Sequence, residues 1–221
     1  MSQLTGLEIV LVGGAGGLGS ATAALLAEEG AQVIVSSRSQ GIRADITCAE
    51  DRERLLDAVP NLYGLVVFAG TPARGTYEEM YRLSHQVNYE GPILLARAAA
   101  ERMQAHGVSG SIVMFSTMQA VALFAGSTVY AGEKVALTHA ARILAKEYRA
   151  VLRVNVIAPG VMNAGMAQAS IATGKYNRYL EEGVIARFGA AADVARAVRF
   201  FLEPDNYVTG QVLSVDGGIT L

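Results

Sequence analysis

The 221-residue chain is expected to fold as an α/β protein, a doubly wound parallel sheet sandwiched between helices. Three observations predict this. Short apolar runs alternate with longer helical patterns from one end to the other, the mark of βαβ units whose right-handed crossovers place helices on both faces of a sheet. Hydrophobic residues make up 52% of the chain and charged residues 17%, which suits a sheet buried on both sides. The 24 glycines follow no period, and several stand at the ends of the apolar runs, where a parallel sheet must turn tightly.

Residues 7–12 (LEIVLV) predict the first strand, and residues 17–29 an Ala/Leu-rich helix stopped by Gly30. Residues 32–36 (QVIVS) form the second strand, 49–59 a short charged helix ended by Pro60, and 64–68 (GLVVF) the next strand. Residues 78–104 are helical, with Gly91-Pro92 marking a kink or break. A strand at 111–115 (SIVMF), a helix at 129–149, a strand at 152–157, a helix at 190–202 and a strand at 211–215 complete the pattern. Between strand 32–36 and the helix at 49 lies only the strand-like stretch 42–46, although a parallel crossover takes about a dozen residues of its own. The helix between strands 2 and 3 is therefore expected to be missing, and that edge of the sheet to be short or irregular. The result is a three-layer, Rossmann-type single domain over residues 1–221, in which ligands bind at the carboxyl ends of the strands.

Bulk properties exclude several function classes. A formal net charge of −2 leaves no electrostatic footprint for nucleic acid. No apolar run reaches membrane-spanning length, and the opening MSQLTG lacks the basic and apolar regions of a signal peptide, so a cytoplasmic protein is expected. The single cysteine, Cys48, has no internal partner and is read as inert. His85, His106 and His139 lack metal spacing and are read as surface or packing residues, so no metal site is expected.

The first strand runs into Gly13-Gly14-Ala15-Gly16-Gly17-Leu18-Gly19, and a helix follows. Glycine is required where backbone must approach a pyrophosphate closely, and the free N–H groups and positive dipole end of the helix face the anion. A tight turn alone does not need five glycines in seven residues. After the second strand the chain reads Ser36-Ser37-Arg38-Ser39, with no acidic residue to accept from the ribose 2′-hydroxyl of NAD. Arg38 offers a planar cation and Ser37 a hydroxyl to a 2′-phosphate, which makes NADP(H) the expected cofactor in preference to NAD(H). Further on, Tyr130 and Lys134 lie one turn apart at the start of a helix. A phenol ordinarily titrates near ~10, and an ammonium beside it lowers that value, giving an acid/base group for a carbonyl or an alcohol.

In these motifs and their order the sequence resembles the short-chain dehydrogenase/reductase family over essentially its whole length. The resemblance rests on the glycine loop, Asn88 in a helix after strand 4, a hydroxyl residue after strand 5, the Tyr130/Lys134 pair, and Asn155 through Pro159-Gly160 after strand 6. Arg187-Phe188-Gly189, Thr209-Gly210-Gln211 and Val215-Asp216-Gly217-Gly218 resemble the family's tail. It implies that Tyr130 is the general acid in reduction and the base in oxidation. Lys134 would hold the nicotinamide ribose and depress the Tyr130 pKa. Asn88 would bend its helix and hold a water leading from Lys134 to solvent. The hydroxyl that orients the substrate oxygen falls on Thr117 by spacing, or on Ser116 by residue type. Ala69, Gly70, Asp45, Ile46, Pro159, Gly160 and Val161 would line the cofactor together with Gly13, Gly16, Gly17, Leu18 and Gly19.

The sequence also departs from the family. Val67-Phe68 stands where the family carries two asparagines before Ala69-Gly70, Ala164 where a threonine often grips the nicotinamide amide, and Gly132-Glu133 where small residues precede the lysine. Glu133 would either point outward or tune Lys134. Residues 162–183 correspond to the family's substrate loop, in which Met162, Met166, Ile171, Tyr176 and Tyr179 either line a pocket or pack the loop onto the body. The resemblance implies a homodimer or homotetramer built on the helices at 78–104 and 129–149. The expected activity is hydride transfer between NADP(H) and a small carbonyl or alcohol substrate. The alternatives are an isomerase or dehydratase that recycles its cofactor, and a regulatory protein that binds NADP(H) without chemistry.

Overall fold

A computed structural model describes residues 3–72 and 76–221. Its sheet has seven parallel strands: β1 (Glu8–Val12), β2 (Gln32–Ser37), β3 (Ile42–Arg43), β4 (Leu62–Val67), β5 (Ser111–Phe115), β6 (Arg153–Pro159) and β7 (Val212–Val215). Their order across the sheet is β3-β2-β1-β4-β5-β6-β7. The helices are α1 (Gly17–Glu28), α2 (Ala49–Asp57), α3 (Tyr77–His85), α4 (Gly91–Ala105), α5 (Thr128–Tyr148), α6 (Gln168–Ala172), α7 (Asn177–Glu181) and α8 (Ala191–Leu202). Chain order reverses between β1 and β4, so the crevice of the fold opens beyond Val12 and Val67, which lie side by side in the register.

Strand residues alternate between two apolar layers, and the alternation locks the register. Val10, Leu65, Ile112 and Val154 face one way, onto Leu95 of α4 and Leu137 of α5. Ile9, Leu11, Val66 and Val113 face the other, onto Leu26 of α1 and Val198 and Phe201 of α8. A one-residue slip of β1, β4, β5 or β6, each buried along most of its length, would exchange the side chains of its two faces. Among the described residues no helix is long and apolar enough to cross a membrane.

The sheet edge is truncated as expected. No helix lies between β2 and β3, and β3 is two residues long. The turn is closed by Ser37, whose Oγ donates to the Gln40 carbonyl (3.0 Å) and accepts from the Gln40 amide (2.8 Å). Gly41 allows the return, with φ at +65° and so little room that a Cβ would lie 1.9 Å from the Val35 carbonyl oxygen. The strand expected to run to Ile46 pairs only at Ile42 and Arg43.

The long helix expected over 78–104 is divided into α3, a π-helical turn at Gln86–Glu90, and α4. The break precedes Gly91-Pro92 because Pro92 has no N–H for the carbonyl of Asn88. Gly91 also sits so close to the loop after β3 that a Cβ would lie 2.8 Å from the Ile46 carbonyl oxygen. Asn88 occupies the π turn, the kind of local irregularity that often marks a functional position. The boundaries at β6 and β7 differ from expectation by one or two residues, and the 162–183 stretch contains α6 and α7.

At the start of α8, the Asp193 carboxylate accepts from the Ala190 amide at 2.8 Å, pairs with Arg187 through two bonds at 2.7 and 3.0 Å, and meets Arg196 at 2.5 Å. The Arg187 pairing and the capping bond pull its pKa from the ordinary 3.8 down to about 2. A depressed carboxylate contributes its stability above the ordinary value and loses it as pH falls through the folded one. Asp193→Ala is expected to lower stability by about 1–2 kcal/mol at neutral pH. In urea melts the gap between variant and wild type should close as pH falls from 3.8 toward about 2.

Candidate active site

The carboxyl ends of β1, β4, β5 and β6 surround one cleft of about 780 Å³, at the large end of the range for ligand pockets. From β1 comes the glycine hairpin, with Gly13, Gly16, Gly17, Leu18 and Gly19 in the lining. Gly13 has φ +77°, and a Cβ on it would lie 3.0 Å from the Ala69 amide nitrogen. A Cβ on Gly19 would lie 2.4 Å from the Cα of Gly14, so strand and helix can meet only through glycine there. From β4 come Phe68, Ala69 and Gly70, and from β6 Pro159, Gly160 and Val161.

Helix α5 delivers Tyr130 and Lys134 to the same cleft. Lys134 is 2% exposed and its Nζ donates to the Phe115 carbonyl at the end of β5, at 2.9 Å. The two hydroxyl candidates separate clearly. Thr117 hydrogen-bonds the Tyr130 phenol. Ser116 turns toward the helix backbone, accepting from Thr138 Oγ1 (2.8 Å) and donating to the Lys134 carbonyl (3.4 Å). Asn88 lies behind the lysine. Its Nδ2 donates to the Thr71 carbonyl and to Ser84 Oγ, and its Oδ1 accepts from the Thr71 amide, all at 2.9 Å. A Cβ placed on Gly70 would be 3.2 Å from Asn88 Oδ1 and 3.6 Å from Lys134 Nζ, so these three residues converge.

The electrostatics depart from the sequence expectation. Burial pushes the Tyr130 phenol up to about 12, against a smaller downward pull from the Thr117 hydrogen bond. Burial likewise lowers Lys134 to about 8. The expected depression of the phenol by Lys134 is corrected accordingly: the ammonium is directed at the Phe115 carbonyl, and desolvation dominates both groups. Glu133 does not tune the lysine through a contact; it reaches His85 of α3 at 3.3 Å.

Other expected cofactor residues lie at the β2/β3 rim, outside the cleft lining. Arg38 is exposed and makes no hydrogen bond or ion pair among the described residues. Ser37 is committed to its turn. Asp45 Oδ1 accepts from the Thr47 amide and hydroxyl, and Ile46 is buried with its carbonyl held by Arg52 at 2.7 Å. Residues 162–183 both line the cleft and pack onto the body. Tyr176 and Tyr179 line the cleft and also pack on a small core of Met118, Val161, Ile185 and Ile219. Met162 is buried, Met166 is 56% exposed on the lining, and Ile171 only packs.

Several contributors carried no motif. Phe68 meets Phe115 in a tilted ring pair with centroids 4.5 Å apart, and both line the cleft. Gln119, on the lining, accepts from Ser127 and so ties the loop after β5 to the start of α5. Thr138 repeats at the helical spacing from Lys134, and that period is the one signal that could have found it.

A parallel sheet in this order, with a glycine cradle and a Tyr-Lys pair facing one another across the crevice, defines a nicotinamide-dependent oxidoreductase of the carbonyl/alcohol type. The chain belongs to the short-chain dehydrogenase/reductase family. The family profile described as enoyl-(acyl carrier protein) reductase matches residues 13–220. The chain is 32% identical to carbonyl reductase family member 4 of Danio rerio, over 96% of this chain and 97% of that one. It is also 32% identical to the Homo sapiens 3-oxoacyl-[acyl-carrier-protein] reductase, over 95% and 96% of the two chains. A solved short-chain dehydrogenase/reductase from Mycobacterium ulcerans superposes with a TM-score of 0.89 at 28% identity, covering 100% of this chain and 91% of the other. A 7α-hydroxysteroid dehydrogenase solved with NADH and 7-oxo glycochenodeoxycholic acid gives 0.90 at 27% identity, covering 97% and 94%.

The family's nicotinamide dinucleotide fits the residues present. The glycine hairpin leaves Gly16 open on the cleft side, where a Cβ would meet only the Gly13 carbonyl oxygen at 3.5 Å. Helix α1 begins there with no side-chain cap on its free amides. At the end of β2, the fully buried Ser36 hydroxyl is without a hydrogen-bond partner among the described residues. Because a Cβ at Gly19 collides with backbone, Gly19→Ala is expected to cost about 2 kcal/mol in urea unfolding and to weaken nucleotide binding measured by fluorescence titration.

Proposed function

We propose that the protein is an NADP(H)-dependent carbonyl reductase in which Tyr130 gives the proton. The observation that supports this most directly is the phenol itself, joined to the Thr117 hydroxyl and held by burial at about 12. Such a group keeps its proton at physiological pH, as the acid in a reduction must, and yields it to the stronger base that a developing alkoxide is. When bound, the nicotinamide supplies the hydride to the carbonyl carbon.

The remaining roles belong to this chain's own atoms. Thr117 Oγ1 donates to the carbonyl oxygen and sets its distance from the phenol. Tyr130 transfers its proton to that oxygen, giving the alcohol and a phenolate. Lys134, cationic below about 8, holds the nicotinamide ribose, and Asn88 behind it holds a water leading from the ammonium to solvent. Gly13, Gly16, Gly17, Leu18 and Gly19 take the pyrophosphate, with Ala69, Pro159, Gly160 and Val161 along the dinucleotide and Asp45 and Ile46 near its adenine. Arg38, without a carboxylate partner among the described residues, meets the 2′-phosphate, which selects NADP(H), and Ser37 closes the turn that carries it. Residues 162–183 form the substrate loop. Leu94 of α4 and Val135 and Ile143 of α5 are between 40% and 49% exposed, which suits helices that pair with a second copy in a homodimer or homotetramer.

Tyr130→Phe is expected to lower kcat for ketone reduction by about 10²–10⁴-fold while NADPH still binds; turnover at the wild-type rate would end this assignment. The reduction rate should hold below pH 8 and decline above it, since Lys134 loses its charge as pH rises through about 8. Arg38→Asp should shift the kcat/KM preference from NADPH toward NADH, read from cofactor absorbance with each nucleotide.

A further inference from the structure

We infer that the carbonyl substrate is an anion, bearing a carboxylate or a phosphate that Lys175 and Arg178 meet at the mouth of the cleft. The inference rests on the carbonyl-reductase reading above and adds the chemical class of its substrate.

The charge of the lining is one-sided. Among the described residues it contains Lys134, Lys175 and Arg178 and no aspartate or glutamate, in a chain whose net charge is −2. Lys134 is engaged with the Phe115 carbonyl. The other two are exposed and form no ion pair among the described residues, whereas Arg97, Arg102, Arg187, Arg196 and Arg199 all hold carboxylates. Glu182 is near enough to act on Arg178 but forms no ion pair with it.

Both cations are oriented by aromatic rings. The Arg178 guanidinium lies 4.7 Å over the Tyr179 ring, and one of its nitrogens donates to the Tyr179 hydroxyl at 2.9 Å. Lys175 Nζ stands 5.5 Å from the Tyr176 centroid, and the two tyrosines stack at 26°. Only one guanidinium bond is used, so a planar fork of donors remains for a carboxylate or phosphate.

Position separates this rim from the nucleotide cradle. Tyr176 and Tyr179 pack on the cluster that contains Met118, next in sequence to Thr117, so the cations stand on the side that holds the carbonyl. The glycine hairpin is covered by an earlier part of the loop: a Cβ on Gly17 would lie 3.1 Å from the Gly165 amide nitrogen and 3.3 Å from the Ala164 Cβ. Phe124, Val129 and Met166 also line the cleft, which suits an apolar chain between carbonyl and anion.

The test measures kcat/KM with saturating NADPH for medium-chain oxo carboxylates and their methyl esters, and for hydroxyketone phosphates and the free hydroxyketones. Wild type should prefer at least one anion over its neutral partner by about tenfold, chiefly through KM, and the two pairs identify which anion. The double variant Lys175→Gln/Arg178→Gln should bring that ratio close to one, and Arg178→Lys should retain part of it. A wild-type ratio near one, a ratio that survives in the double variant, or weaker NADPH binding with an unchanged ratio would overturn the inference. If no carbonyl compound turns over with either nucleotide, the reductase reading fails separately. The anion site is then judged by calorimetry with hexanoate against hexanamide on the nucleotide-bound protein: carboxylate-selective binding lost in the double variant supports it, and equal binding removes it.

Discussion

The site depends on a buried cation held at the end of a central strand. Lys134 is almost fully enclosed and gives its Nζ to the Phe115 carbonyl, so helix α5 is tied to β5 where that strand leaves the sheet. A charge buried this way is costly unless it is hydrogen-bonded, and the cost rises if it moves off that carbonyl. The tie therefore fixes more than the lysine. Tyr130 lies one turn earlier on the same helix, Thr117 lies two residues past the accepting carbonyl, and the phenol and hydroxyl meet as a consequence. Ser116 and Thr138 brace the same junction through the Lys134 carbonyl.

Desolvation then moves the two titrating groups in opposite senses, the phenol upward and the ammonium downward. Both moves favour the neutral form. The tilted Phe68–Phe115 pair lines the cleft beside them and makes this region apolar. The outcome is a well-protonated acid beside a cation that is lost just above neutrality, an arrangement better suited to giving a proton than to taking one.

Away from that dry centre the cleft becomes polar and cationic. Tyr176 and Tyr179 carry the transition, packing on the small core of Met118 and Ile185 while Lys175 and Arg178 lie over their rings. Loop packing and ligand lining are thus the same contacts seen from two sides, and for that reason residues 162–183 admitted both interpretations from composition alone.

The alternation of apolar runs and helices specified the parallel sheet and its truncated edge, because strand period, glycine turns and crossover length are local properties of the chain. The glycine hairpin and the Tyr130/Lys134 spacing were legible for the same reason, each being set by neighbours a few residues apart. Tertiary structure alone brought Thr117, and not Ser116, against the phenol, since which hydroxyl faces it depends on how β5 ends against α5. It also reversed the expected direction of the Tyr130 shift, because burial is a sum over distant segments that no spacing encodes. The placing of Lys175 and Arg178 on a wall without acidic side chains among the described residues was likewise settled by packing between elements far apart in sequence.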